Sequence, residues 1–209
     1  MAELFEILPG LPPYGPSALP YPQNGTRAHS EGFVVRFLPG TVDFWVGNFQ
    51  RFSNNGHDLA IEFFDSQKVL VVAGGEPYLV DTRTRALSEF PLKLIVHALE
   101  APDLNLLIFG DDLGFAGIDA SGVRWRSPRI SWDGLRNIRV AGEKLYGEAF
   151  TPDGDTWHRF ELNLQDGTCK DSIYAKDMSR AVLVTSQSRL TAWLHRVGRR
   201  LGILSNARR

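Results

Sequence analysis

From Phe33 to about Tyr174 the chain is a succession of short apolar runs, broken every few residues by Gly, Pro, Asp, Asn or Ser. Runs of about five residues are too short for stable helices and match the usual length of strands. Strands are expected at 33–37, 42–46, 58–64, 69–73, 78–81, 86–90 and 92–99. Further strands are expected at 104–109, 114–119, 123–126, 135–140, 144–150, 157–164 and 168–174. The pattern predicts an all-β fold of repeated antiparallel hairpins.

The runs also repeat as larger units. Val69-Leu70-Val71-Val72-Ala73-Gly74 is followed by Tyr78-Leu79-Val80-Asp81 and a polar turn. The same order recurs in Leu106-Leu107-Ile108-Phe109-Gly110 with Phe115–Asp119, and in Lys144-Leu145-Tyr146-Gly147 with Phe160–Leu164. The copies start roughly 36 to 38 residues apart, near the ~40-residue period of propeller blades. Three units are explicit, and a degenerate one is expected over 33–67.

Within these units, Gly117-Ile118-Asp119-Ala120-Ser121-Gly122-Val123-Arg124-Trp125 resembles the repeat of quinoprotein-like and WD-type β-propellers. In that repeat a strand ends in Asp, turns through Gly and resumes with a docking Trp. Asp81-Thr82-Arg83-Thr84-Arg85 and Asn163-Leu164-Gln165-Asp166-Gly167 resemble the same turn. The resemblance spans about residues 68 to 175. It implies stacked β-meanders, as a propeller or an incomplete propeller, and carries no activity with it.

Two segments flank the repeats. Residues 1–30 hold six prolines between Pro9 and Pro22, which fix φ and remove donors, so an irregular or polyproline arm packed along the domain is expected. The β-repeat domain is expected over 31–178, and 179–209 is expected to form a basic strand or helix segment packed on it. There Leu190, Trp193, Leu194, Val197 and Leu201 fall on one helical face, flanked by Arg189, Arg196 and Arg200. Of 23 Lys and Arg residues, seven are arginines after Asp177, where no acidic residue stands. The rest of the chain sets 16 basic against 24 acidic groups and carries about −8.

Several chemistries lack their motifs. The chain holds no GxGxxG, Walker loop, GxSxG elbow or HExxH, and no cofactor is expected. One cysteine, Cys169, rules out an intramolecular disulfide and fits a reducing compartment. The acidic start Met1–Glu6 lacks the positive charge of an export signal, so a cytoplasmic location is expected. His97, in an apolar run, reads as a hydrogen-bonded core histidine.

What remains is binding. Trp45, Phe49 and Arg51 read as an aromatic–arginine binding loop, with alternation into a core as the competing account. Trp132 beside Arg136 makes a second such pair, the combination typical of binding hot spots. The leading expectation is therefore a noncatalytic protein-binding module, of accessory or immunity type in a bacterium, with a protein rather than nucleic acid as partner. Two alternatives stand beside it. One is a glycan-directed hydrolase using Asp111, Asp112, Asp153 or Asp155 on blade turns. The other is peripheral membrane attachment through Arg189, Trp193, Arg196 and Arg200.

Overall fold

The structure, a computed structural model, describes residues 4–22, 30–38, 40, 43–53, 56–64 and 66–170. The helix expected near 188–201, with Arg189, Trp193, Arg196 and Arg200, lies outside the described residues.

Sixteen described strands form four sheets of four. Sheet I contains β1 (Phe5–Leu8), β2 (Leu19–Tyr21), β3 (Phe33–Phe37) and β4 (Trp45–Phe49), in the order β1-β3-β4-β2. Sheet II is β5 (Leu59–Glu62), β6 (Lys68–Ala73), β7 (Glu76–Asp81) and β8 (Leu87–Ser88). Sheet III is β9 (His97–Ala101), β10 (Leu106–Gly110), β11 (Phe115–Asp119) and β12 (Gly122–Arg126). Sheet IV is β13 (Leu135–Ala141), β14 (Lys144–Thr151), β15 (Thr156–Asn163) and β16 (Cys169–Lys170). Sheets II to IV are antiparallel meanders in chain order. The all-β, hairpin-built fold is as the apolar runs imply, but each repeat begins one strand earlier, at β5, β9 and β13.

Sheet I departs from the expectation. The degenerate unit takes β1 and β2 from the proline-rich segment and uses them as its two edges, so that part of the arm is built into the β domain. Edges are where proline is tolerated, because its missing N–H need not face a neighbour. Accordingly, Leu19-Pro20-Tyr21 pairs in parallel with one side of β4. β4 itself lies three residues beyond its expected place. Gly47 and Asn48 read as loop residues, yet the Asn48 side chain accepts the Gly32 N–H at 2.8 Å and donates to the Ser30 carbonyl at 3.0 Å. Those bonds satisfy a polar group that burial would otherwise penalise.

Alternation along each strand distributes side chains to two faces, and the sheets pack in series through them. Phe37, Trp45 and Phe49 of sheet I meet Val71, Tyr78 and Val80 of sheet II. Leu70, Val72 and Leu79 on the reverse of sheet II meet Phe109 and Ile118 of sheet III. Ile108, Phe115 and Trp125 then meet Leu145, Phe160 and Leu162 of sheet IV. Central β6 is buried on both faces, which is why Val69–Ala73 is an unbroken apolar run. β14, by contrast, alternates strictly: Leu145, Gly147 and Ala149 are buried, while Lys144, Tyr146, Glu148 and Phe150 are not.

Two tryptophans bolt one sheet to the next. Trp45 Nε1 donates to the Thr82 carbonyl at 2.7 Å, and Trp125 Nε1 donates to the Leu164 carbonyl at 2.6 Å. Both acceptors follow the third strand of the adjoining sheet. The turns there are held by a side-chain oxygen: Asp81 Oδ1 accepts the N–H groups of Arg83 and Thr84, and Asn163 Oδ1 accepts that of Gln165. The Trp125 ring fits because glycines flank it. A Cβ on Gly117 would lie 2.4 Å from the ring, and one on Gly167, at φ +74°, would lie 2.7 Å away.

Candidate binding surface

Sheet IV ends the described series, and among the described residues no further sheet packs on its outer face. The register fixes what that face presents. Tyr146 stands opposite Glu161, Glu148 opposite Arg159, and Phe150 opposite Trp157. β13 places Arg136 beside Glu148 and Arg139 beside Tyr146.

These neighbours interlock. The Arg136 guanidinium lies 4.1 Å from the centroid of the Trp157 ring, and its Nε donates to Glu148 at 2.8 Å. Asn137 Nδ2 donates to the same carboxylate at 3.0 Å. Together these bonds hold the Glu148 carboxyl below its ordinary value, Arg136 contributing most. Trp157 meets Phe150 with ring centroids 5.4 Å apart. Arg139 stacks over Tyr146 at 4.5 Å. Lys144 pairs with Glu161, which raises the lysine's affinity for its proton. Trp132 joins this patch through its main chain, donating to the Phe150 carbonyl at 3.0 Å, while Arg129 lies 5.1 Å from its ring. Trp132 is 49% exposed.

No family model, curated protein or solved structure matches the chain. Its function has to be read from the geometry.

Exposed ion pairs of this kind contribute little to stability, because water and salt screen them. Their effect is to hold long side chains in fixed positions. The face carries five cations, Arg136, Arg139, Lys144, Arg159 and Lys170, against two carboxylates, Glu148 and Glu161. It is locally basic on a body that is acidic overall.

Of the residues singled out in the sequence, Arg136 lies on this face, and Trp132 is tied to its edge by the main-chain bond to Phe150. Trp45 and Phe49 do not: they are 3% and 0% exposed, in the core between sheets I and II, and cannot meet a partner. Their alternation into the core is the account the structure bears out. Arg51 is separated from them again, with its Nε and Nη2 donating to Asp58 at 2.9 and 2.7 Å in the link from β4 to β5. Trp157, Arg139 and Tyr146 were missed. Their signal is the alternation of β14 and β15, where every second residue is charged or aromatic.

The carboxylates considered for hydrolysis are turn residues. Asp111 Oδ1 accepts the N–H groups of Leu113 and Gly114 in the β10–β11 turn. Asp153 and Asp155 stand between β14 and β15. Among the described residues no group of three or more His, Cys, Asp or Glu could hold a metal ion, and no helix is long and apolar enough to cross a membrane.

Proposed function

We propose that this protein is a noncatalytic protein-binding module whose working surface is the outer face of sheet IV. One observation carries the reading: the Arg136–Trp157 stack stands beside Phe150 on the outer face of the last described sheet, and the Arg129–Trp132 pair is tied to the Phe150 main chain. Tryptophan and arginine dominate binding hot spots because they bury large areas while keeping a polar group satisfied. Side chains already ordered by stacking lose less freedom when a partner arrives. The surplus of positive charge favours a partner with an acidic surface and speeds its encounter.

The scaffold supports the same reading. Meanders in series, turned by Asp or Asn and bolted by tryptophan, correspond to propeller blades in an open arrangement, which leaves a terminal face for contact. A cytoplasmic accessory role, such as the immunity partner of a toxin, fits this character.

The test is affinity capture from native extract with the wild type and with Trp157→Ala and Arg136→Glu variants of unchanged melting temperature. A stoichiometric partner is expected to be retained by the wild type and lost by both variants. Truncating a hot-spot side chain costs about 2 kcal/mol or more, roughly thirtyfold in affinity. A partner held equally by all three proteins would remove sheet IV as the interface, and no stoichiometric partner at all would remove the reading.

A further inference from the structure

A cleft of about 370 Å³ opens where the leading strands of three sheets approach one another. His57, Asp58 and Leu59 enter it from the start of β5, Ile95 to Leu99 from β9 and the residues before it, and Asn137 and Ile138 from β13. Its volume falls within the ~300–1,000 Å³ of ligand pockets. Its lining has their composition too: aliphatic walls with a few polar groups among them.

Those polar groups are fixed from behind. The register of β13 against β14 shifts between Arg136 and Arg139, and Asn137 at the shift adopts φ +54°. A bulge re-aims side chains and is over-represented beside functional sites. A left-handed φ is uncommon outside glycine, with asparagine among the residues that tolerate it best. The Asn137 amide is held by its bond to Glu148, which leaves the amide oxygen as an acceptor. Asp58 accepts from both Nε and Nη2 of Arg51 and from the Gly74 N–H at 2.8 Å.

His97 is half-buried, and its Nε2 has no hydrogen-bond partner among the described residues. Burial lowers the ring's pKa, with His57 acting in the same direction and Asp112, the Leu135 main chain and Asp111 opposing. Asp58 is already paired with Arg51; Asp112 and Asp111 act on His97 from the β10–β11 turn, outside the lining of the cleft, with His57 opposing them.

We propose that this cleft binds a small amine, its ammonium group donating to these acceptors and its apolar body lying against Leu59, Ile95, Leu99 and Ile138. An ammonium offers donors only, which is what a site presenting the Asn137 amide oxygen and the unpartnered His97 Nε2 selects. The cleft shares Asn137 with the outer face of sheet IV, where its amide nitrogen is anchored on Glu148, but uses neither arginine–tryptophan pair of the proposed binding surface.

Benzylamine is a suitable probe, with benzyl alcohol as its uncharged counterpart. In NMR titrations of the full chain at neutral pH, benzylamine should shift the His97 ring and Asn137 amide resonances saturably. Benzyl alcohol should bind roughly tenfold more weakly. Asn137→Gly, which keeps the left-handed backbone, should weaken benzylamine binding severalfold, and Asp112→Asn should narrow the amine's advantage over the alcohol. Shifts that do not saturate, equal affinity for amine and alcohol, or unchanged binding in both variants would overturn the assignment.

Discussion

Protonating His97 places a cation in a half-buried site, and desolvation is the largest influence on that ring. The ring's pKa is lowered from 6.5, with His57 acting in the same direction and Asp112, Asp111 and the Leu135 main chain opposing. The unfolded chain therefore takes up this proton first as pH falls. Stability present above about pH 6.5 is lost between that value and the lower native pKa, and the loss levels off below it. Asp81, Asp119, Glu148 and Asp166, all held low by hydrogen bonds, contribute stability that disappears only in the carboxylate range. The two windows are thus separable. Melting temperature measured from pH 7.5 down to about pH 5 should fall less steeply for His97→Gln than for the wild type; equal slopes would mean that His97 does not titrate differently on folding. The same residue marks a limit of sequence reading. An apolar run announces a core histidine, but what surrounds its ring comes from elsewhere in the chain, the Leu135 main chain from β13 and the Asp112 charge from the β10–β11 turn.

At the scale of elements, the Trp125 bolt is the most informative contact. Trp125→Phe keeps an aromatic ring between Gly117 and Gly167 but leaves the Leu164 carbonyl without its donor. An unsatisfied buried acceptor costs about 1–3 kcal/mol, and urea denaturation should show a loss of that order. Trp132→Phe, at an exposed position, should stay within about 0.5 kcal/mol of the wild type. Equal effects would deny the bolt its role. Most strands of sheets II to IV could be read directly, because period-two alternation and turn residues are properties of the local chain. β2 could not, since Pro20 within it hides an edge strand, and β1, which holds no proline, stands directly before the proline-rich stretch and reads with it as arm. The candidate site divides along the same line. Trp45 and Trp132 each sit near an arginine in sequence, and only the presence or absence of a covering sheet separates a core tryptophan from a surface one. The clue lay in the strands themselves: Val69–Ala73 is apolar throughout because two sheets cover it, whereas Lys144–Thr151 alternates because one does.

At the largest scale, the described sheets pack as a line of neighbours. Core clusters join sheet I to II, II to III and III to IV, and none of the three joins IV to I. In such a stack stability is close to a sum of unit and nearest-neighbour terms, so protection should follow the number of covered faces. Sheets II and III have a described sheet on each side; sheets I and IV have one. Amide exchange of the full chain is therefore expected to be slowest at Leu70–Val72 of β6 and Ile108–Phe109 of β10, where opening approaches global unfolding. β14, whose ladder is equally complete, should exchange faster, because sheet IV can detach by giving up a single interface. Protection in β14 matching that of β6 would require a second covered face on sheet IV. That face is the one assigned to the partner, so the same result would close the surface on which the binding function rests.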